Sequence, residues 1–187
     1  MGSKFPPERW EVLVNPERKN WQDVDVFFEV AEPKEDEVWV DIGCGPGYFA
    51  LPLSKRVKKV YAVDIEREML DKCKMRAEEE NLSNIEYVLC TDEEIPLEDN
   101  IADAVLMANV FHELSNPEAI FGELRRFLKY EGRAYIIDWH PVESPAGPPI
   151  EERVPLEEVV NFLESQNFTS IREYKVYPYH YLVEFKK

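Results

Sequence analysis

The 187-residue chain predicts an α/β fold: a doubly wound sheet of about seven strands, mostly parallel with a C-terminal antiparallel strand, and helices on both faces. Three observations carry this reading. Apolar runs of strand length alternate with amphipathic helical stretches from residue 37 to residue 139. Three of the seven glycines, Gly43, Gly45 and Gly47, crowd into five residues directly after the first such run. The last two β-rich segments follow each other with no helix between them, the pattern of an antiparallel pair.

Element by element, "RKNWQDVDVFFEVAE" (18–32) reads as one helix ahead of the first strand, "EVWVDI" (37–42). After the glycines "YFALPLSKR" reads as a helix in which Pro52 is tolerable only near the start. "KVYAVD" (59–64) is the second strand, and "REMLDKCKMRAEEE" (67–80) is a helix with Met69, Leu70, Cys73 and Ala77 on one face. "NIEYVLC" (84–90) is the third strand, "TDEEIPLEDN" a polar loop and "ADAVLMANV" (102–110) the fourth strand. In "NPEAIFGELRRFLKY" (116–130) Asn116 is the N-cap and Pro117 the first helical residue. Gly132 is expected to end that helix ahead of the fifth strand, "RAYIIDW" (133–139). A Pro-rich link, 140–155, leads to a helix over 156–167, and "FTSIREYKVYP" and "YHYLVEFKK" close the sheet.

A chain of this size buries a full core, and residues 1–187 read as one domain with 1–32 as an N-terminal lid and helix. No segment approaches the ~18 apolar residues of a membrane span. The N-terminus lacks an apolar signal core, so cytoplasm is the expected location and no membrane partner is expected. Three scattered cysteines without a C-x-x-C pair fit neither a disulfide framework nor a metal site. The net charge is −16, and between Glu78 and Leu124 thirteen Asp and Glu stand with no Lys or Arg. Such a field repels phosphate backbones, so nucleic acid is not an expected partner.

The glycine loop follows a buried strand and sits at the carboxyl edge of the sheet, where ligands of doubly wound folds bind. A triphosphate-type loop needs a Gly-Lys pair, and none occurs. "GPGYFA" formally matches a dinucleotide loop, with Asp64 nineteen residues beyond Gly45. That pattern would start two residues late, however, and Asp41 would face a pyrophosphate with no basic residue in the stretch that follows before Lys55. A ligand with a cationic centre and no phosphate fits better. S-adenosylmethionine is such a ligand: Gly43 and Gly45 allow close backbone approach, Asp41 favours cationic groups, and Asp64 can accept from ribose hydroxyls. Asp92, after the third strand, is placed to accept from the adenine amino group.

"VWVDIGCGPGYFALPL", "VYAVDIEREML", "CTDEEIPLEDNIADAVLMANVFHEL" and "LRRFLKYEGRAYIIDW" resemble, in order and spacing, the motifs of class I S-adenosylmethionine-dependent methyltransferases. They are especially similar to the small ubiquinone-methylase-like (methyltransferase type 11) group, whose sheet is Rossmann-like. The resemblance implies a methyltransferase with S-adenosyl-L-methionine as cofactor. It implies cofactor contacts from Asp41, Gly43, Gly45, Gly47, Asp64, Ile65, Asp92, Glu93 and Asn109. The chain departs from the family's usual Pro-Gly-Gly turn before the fifth strand, carrying "YEGR" instead.

The resemblance leaves the acceptor open; a small molecule is expected. His112, directly after the fourth strand, is the first candidate base, with Glu113 as a possible orienting group. Trp139 is a candidate wall of the acceptor pocket, and His140 is the second candidate base. Arg18 and Trp21 are the lid residues to watch. A non-catalytic cofactor-binding regulatory module and an NAD-dependent oxidoreductase are the alternatives that the same loop allows.

Overall fold

The structure, a computed structural model, describes residues 5–187; the first four residues of the expected lid lie outside the described residues. Seven strands form one sheet: β1 Val38–Ile42, β2 Lys59–Asp64, β3 Ile85–Leu89, β4 Ala102–Ala108, β5 Leu128–Trp139, β6 Thr169–Tyr174 and β7 His180–Lys186. Their order is β3-β2-β1-β4-β5-β7-β6. The pairs from β3 to β5 are parallel, and β7 runs antiparallel to both its neighbours. Chain order reverses between β1 and β4, which opens a crevice at their carboxyl ends.

Helix α1, Trp10–Leu13, belongs to the N-terminal segment, and alternation along each strand feeds two cores. From β1, Val40 and Ile42 pack with Phe121 and Leu124 of α5 (Pro117–Phe127) and Val159 and Leu163 of α6 (Leu156–Ser165). Trp39 turns to the other face, toward Phe27 of α2 (Val24–Ala31), Leu51 of α3 (Ala50–Ser54) and Leu70 and Cys73 of α4 (Arg67–Glu79). The expected stripe of Met69, Leu70, Cys73 and Ala77 is the buried face of α4. Asn116 caps α5, its side chain accepting from the Ala119 amide at 3.2 Å.

Two expectations are corrected. Residues 18–32 are not one helix: a 3-10 turn, Pro16–Asn20, ends at Trp21, and α2 starts afresh behind Asp23, whose side chain accepts from the Asp25 amide. Two caps in one segment, Asn15 and Asp23, offer the backbone two starts, and the chain takes both. Gly132 does not end α5. The helix stops at Phe127, and Leu128 is already extended and paired with Ala102. Gly132 lies inside β5 where the register jumps from Ala102–Leu128 to Ala104–Arg133. A Cβ there would stand 2.5 Å from Leu128 Cδ1 and 2.9 Å from the Lys129 carbonyl, so the glycine serves a close backbone approach.

Candidate functional site

A cleft of about 670 Å³ lies over the carboxyl ends of β1, β2, β4 and β5, within the range typical of small-ligand sites. Its floor begins where β1 becomes the glycine loop. Gly43 has φ +67°, and a Cβ there would meet Val110 Cγ2 at 2.2 Å. Only glycine lets the chain turn against the end of β4 in this way. The Gly43 and Cys44 amides both donate to the Val63 carbonyl, and the Gly45 amide donates to Asp64 Oδ2 at 2.8 Å. Asp64 Oδ1 accepts from the Glu66 amide at 2.9 Å. Burial raises the Asp64 pKa, and those amide bonds oppose the rise.

Asp41 is 2% exposed, lines the cleft, and its Oδ2 has no hydrogen-bond partner among the described residues. Burial first, and the Asp64 charge second, push its pKa up to about 8, against the pull of Arg18. Arg18 is itself held among aromatic and carbonyl groups. Its guanidinium lies 3.9 Å over the Tyr48 ring and donates to the Leu13 carbonyl and to Gln22 Oε1. Burial lowers its pKa to about 10.

The N-terminal segment forms the roof. Phe5, Arg9, Leu13 and Trp21 line the cleft from above. Tyr48 and Tyr177 donate from their hydroxyls to the carbonyls of Gln22 and Asp23, each at 2.7 Å. The Gln22 side chain exchanges two hydrogen bonds with the Asn109 amide, at 3.1 and 2.9 Å. Asn109 sits at φ +60° just past β4.

At the opposite end, the 3-10 turn Phe111–Glu113 carries His112 into the wall, 7% exposed. Its Nδ1 is 2.7 Å from Asp138 Oδ1, and its backbone amide donates to Asp138 Oδ2 at 3.2 Å. Asp138 Oδ1 also accepts from the Trp139 amide at 2.8 Å. Glu113 Oε1 stands 3.8 Å from His112 Nε2, so the group that orients the ring is Asp138 rather than Glu113. Burial works to lower the His112 pKa, but the bond to Asp138 and the charges of Asp138, Glu113 and Glu152 raise it on balance. Burial raises the Glu113 pKa to about 7.

Of the residues singled out in the sequence, Asp41, Gly43, Gly45, Asp64, Ile65, Asp92, Asn109, His112 and Trp139 line this one cleft. Three stand outside its lining. Gly47 is folded back, its would-be Cβ 2.3 Å from Leu51 Cδ1 and 2.8 Å from Cys73 Sγ, so it serves loop packing. Glu93 is exposed in a turn around the Thr91 hydroxyl. His140 is turned against the Tyr181 ring, and its amide donates to the Tyr179 carbonyl. Trp139 shows the cleft little of its ring, 6% exposed, because Gly147 packs on it and His180 lies 3.8 Å from its centre. Gln22 and Arg153 escaped the sequence reading. Arg153 donates to the carbonyls of His140, Val142 and Pro148, tying down the Pro-rich link. Neither residue has a local signature: Gln22 meets Asn109 across 87 residues, and the carbonyls that Arg153 collects carry no side-chain pattern.

The methyltransferase domain family matches residues 40–136. A crystal structure of a SAM-dependent methyltransferase from Aquifex aeolicus superposes with a TM-score of 0.92 at 33% identity, covering 97% of this chain and 98% of that one. YcgJ of Bacillus subtilis (strain 168), an uncharacterized methyltransferase, is 28% identical over 76% of this chain and 53% of its own length. The 2-phytyl-1,4-naphtoquinone methyltransferase of Trichormus variabilis is 32% identical over 64% of this chain and 53% of its own. The chain spans about half the length of these curated relatives.

Proposed function

We propose, since the chain belongs to the methyltransferase domain family and to the S-adenosylmethionine-dependent methyltransferases within it, that it moves a methyl group from S-adenosylmethionine to a small-molecule acceptor. The observation that carries this is the unpartnered Oδ2 of Asp41, buried in the cleft beside the turn at Gly43. A buried carboxylate oxygen without a donor is costly, and an ammonium or sulfonium in the cleft would offset that cost. A pyrophosphate would worsen it. When bound, S-adenosylmethionine supplies a methyl group already activated on a sulfonium.

The residues present fit that group. Gly43 and Gly45 offer bare backbone beside Asp41. The Asp64 oxygens accept from the Gly45 and Glu66 amides, and a carboxylate can accept further donors such as a ribose hydroxyl. Ile65 and Asp92 continue the same wall, where an adenine would lie. Gln22 and Asn109 tie the roof to the end of β4. The acceptor would enter between His112, Trp139 and the roof, where Leu114, Ile120 and Pro148 make the lining apolar. That lining, and a relative named for a naphthoquinone substrate, favour a largely apolar acceptor. Residues 1–187 would act as one domain, with 1–32 as its lid; among the described residues no helix is long and apolar enough to cross a membrane.

Calorimetry on the purified chain tests the reading. S-adenosylhomocysteine is expected to bind and NAD is not. NAD binding without S-adenosylhomocysteine binding would sink it. Transfer of a labelled methyl group into acceptor extracts then separates an enzyme from a silent binding module.

A further inference from the structure

His112 and Asp138 are 26 residues apart in the chain and belong to neighbouring strand ends. Asp138 is 1% exposed and spends both its oxygens on one small region: His112 Nδ1, the His112 amide and the Trp139 amide. Two backbone amides fix the carboxylate, and the fixed carboxylate holds the imidazole through Nδ1. A carboxylate accepts, so Nδ1 carries the proton of the neutral ring, and Nε2 is the nitrogen left with a lone pair. His112 and Glu113 both line the cleft, and Glu113 Oε1 stands 3.8 Å from Nε2, beyond hydrogen-bond reach, so Nε2 is the ring nitrogen that can meet an acceptor there.

We propose that Asp138 is a positioning residue that holds His112 in the Nδ1–H tautomer, and that His112 Nε2 takes a proton from the methyl acceptor. This inference rests on the methyltransferase reading and adds a substrate class: an apolar molecule with one acidic O–H or C–H. In the transfer the acceptor's proton goes to Nε2, its freed electron pair forms the bond to the methyl carbon, and the carbon–sulfur pair leaves with sulfur. The imidazole would become an imidazolium and so carry the positive charge that a bound sulfonium gives up, which balances the charge. Asp138 stabilises that imidazolium at 2.7 Å. Among the described residues, the charges that act most strongly on the ring are those of Asp138 from β5, Glu113 from its own turn and Glu152 from the turn Ile150–Glu152. They favour the charged ring, while burial opposes it.

The test needs no acceptor. The chain has three histidines, so protein with ¹⁵N-labelled histidine gives three ring systems, and His112→Gln assigns one by its loss. The wild type is expected to show His112 as the Nδ1–H tautomer once neutral, with a titration midpoint above that of a free histidine. Asp138→Asn removes the charge while its amide oxygen still accepts from Nδ1–H and from the Trp139 amide, so the tautomer is expected to hold. The substitution should lower the midpoint by about one pH unit or more, the effect of losing an adjacent opposite charge. S-adenosylhomocysteine affinity in that variant is expected to stay within about threefold of wild type. An Nε2–H tautomer in the wild type overturns the proposal even if Asp138→Asn fails to fold. So does an unchanged midpoint in a folded variant. Failure of the wild type to bind S-adenosylhomocysteine overturns the methyltransferase reading itself, which calorimetry reports separately.

Discussion

A carboxylate placed like Asp41 carries a measurable signature in the fold as well as in the ligand. Its folded pKa of about 8 lies above the value of about 3.9 for a solvated Asp. The stability it contributes is therefore complete below about pH 4 and is lost as pH rises through 8. Asp41→Asn removes that titration. Thermal unfolding without ligand, followed from pH 5 to 9, should show the wild type losing ground to the variant as pH rises; parallel curves would contradict the burial argument. With ligand the sign reverses. S-adenosylhomocysteine should bind the variant more weakly by roughly 1.5–3 kcal/mol, the range for a hydrogen bond to a charged group. The part of this legible in the sequence was the residue type and its place before the glycines. That one oxygen would be unpaired depends on which donors reach it in three dimensions.

At the level of elements, the roof is a set of short pieces pinned from below. Neither the 3-10 turn Pro16–Asn20 nor the eight-residue α2 is long enough to be stable by itself, so both depend on tertiary contacts. Tyr177, from the link between β6 and β7, supplies one pin through its bond to the Asp23 carbonyl. Tyr177→Phe is expected to weaken the roof by about 0.5–1.5 kcal/mol. Hydrogen exchange of residues 16–28 should then quicken several-fold while β1 and β2 stay protected. Exchange equal to wild type would show the pin to be idle. In sequence the two pieces look like one helix, because helical periodicity alone does not register a cap that interrupts it. Gly132 likewise reads as a helix end, since a bulge inside a strand looks, locally, like any other glycine stop.

For the molecule as a whole, the acidic balance is the dominant long-range property. With a net charge of −16, approach to a polyanion is repelled beyond any single contact. Bulk RNA or duplex DNA at about 150 mM salt should give no complex tighter than about 1 µM in filter binding, since non-specific association draws its affinity from cationic side chains on phosphates. A submicromolar, salt-sensitive complex would contradict this and point to a nucleic-acid acceptor.

Order, type and approximate bounds of the seven strands and most helices were set by the sequence itself, because apolar periodicity and the Asn116 cap act within a few residues along the chain. The turn at Gly43 is equally local, and its neighbour Asp41 is one residue from the end of β1. Other features arise only when distant segments meet. Gln22 meets Asn109 across 87 residues, and His112 meets Asp138 because β4 and β5 pair in parallel and bring their carboxyl ends together. Arg153 reaches the carbonyls of the Pro-rich link by folding back over it. Gly47 and His140 face away from the cleft for the same kind of reason: Leu51 with Cys73, and Tyr181, claim the space beside them. Local backbone preference fixed the strands and the turn, whereas side-chain direction was decided by which neighbours the sheet order supplied.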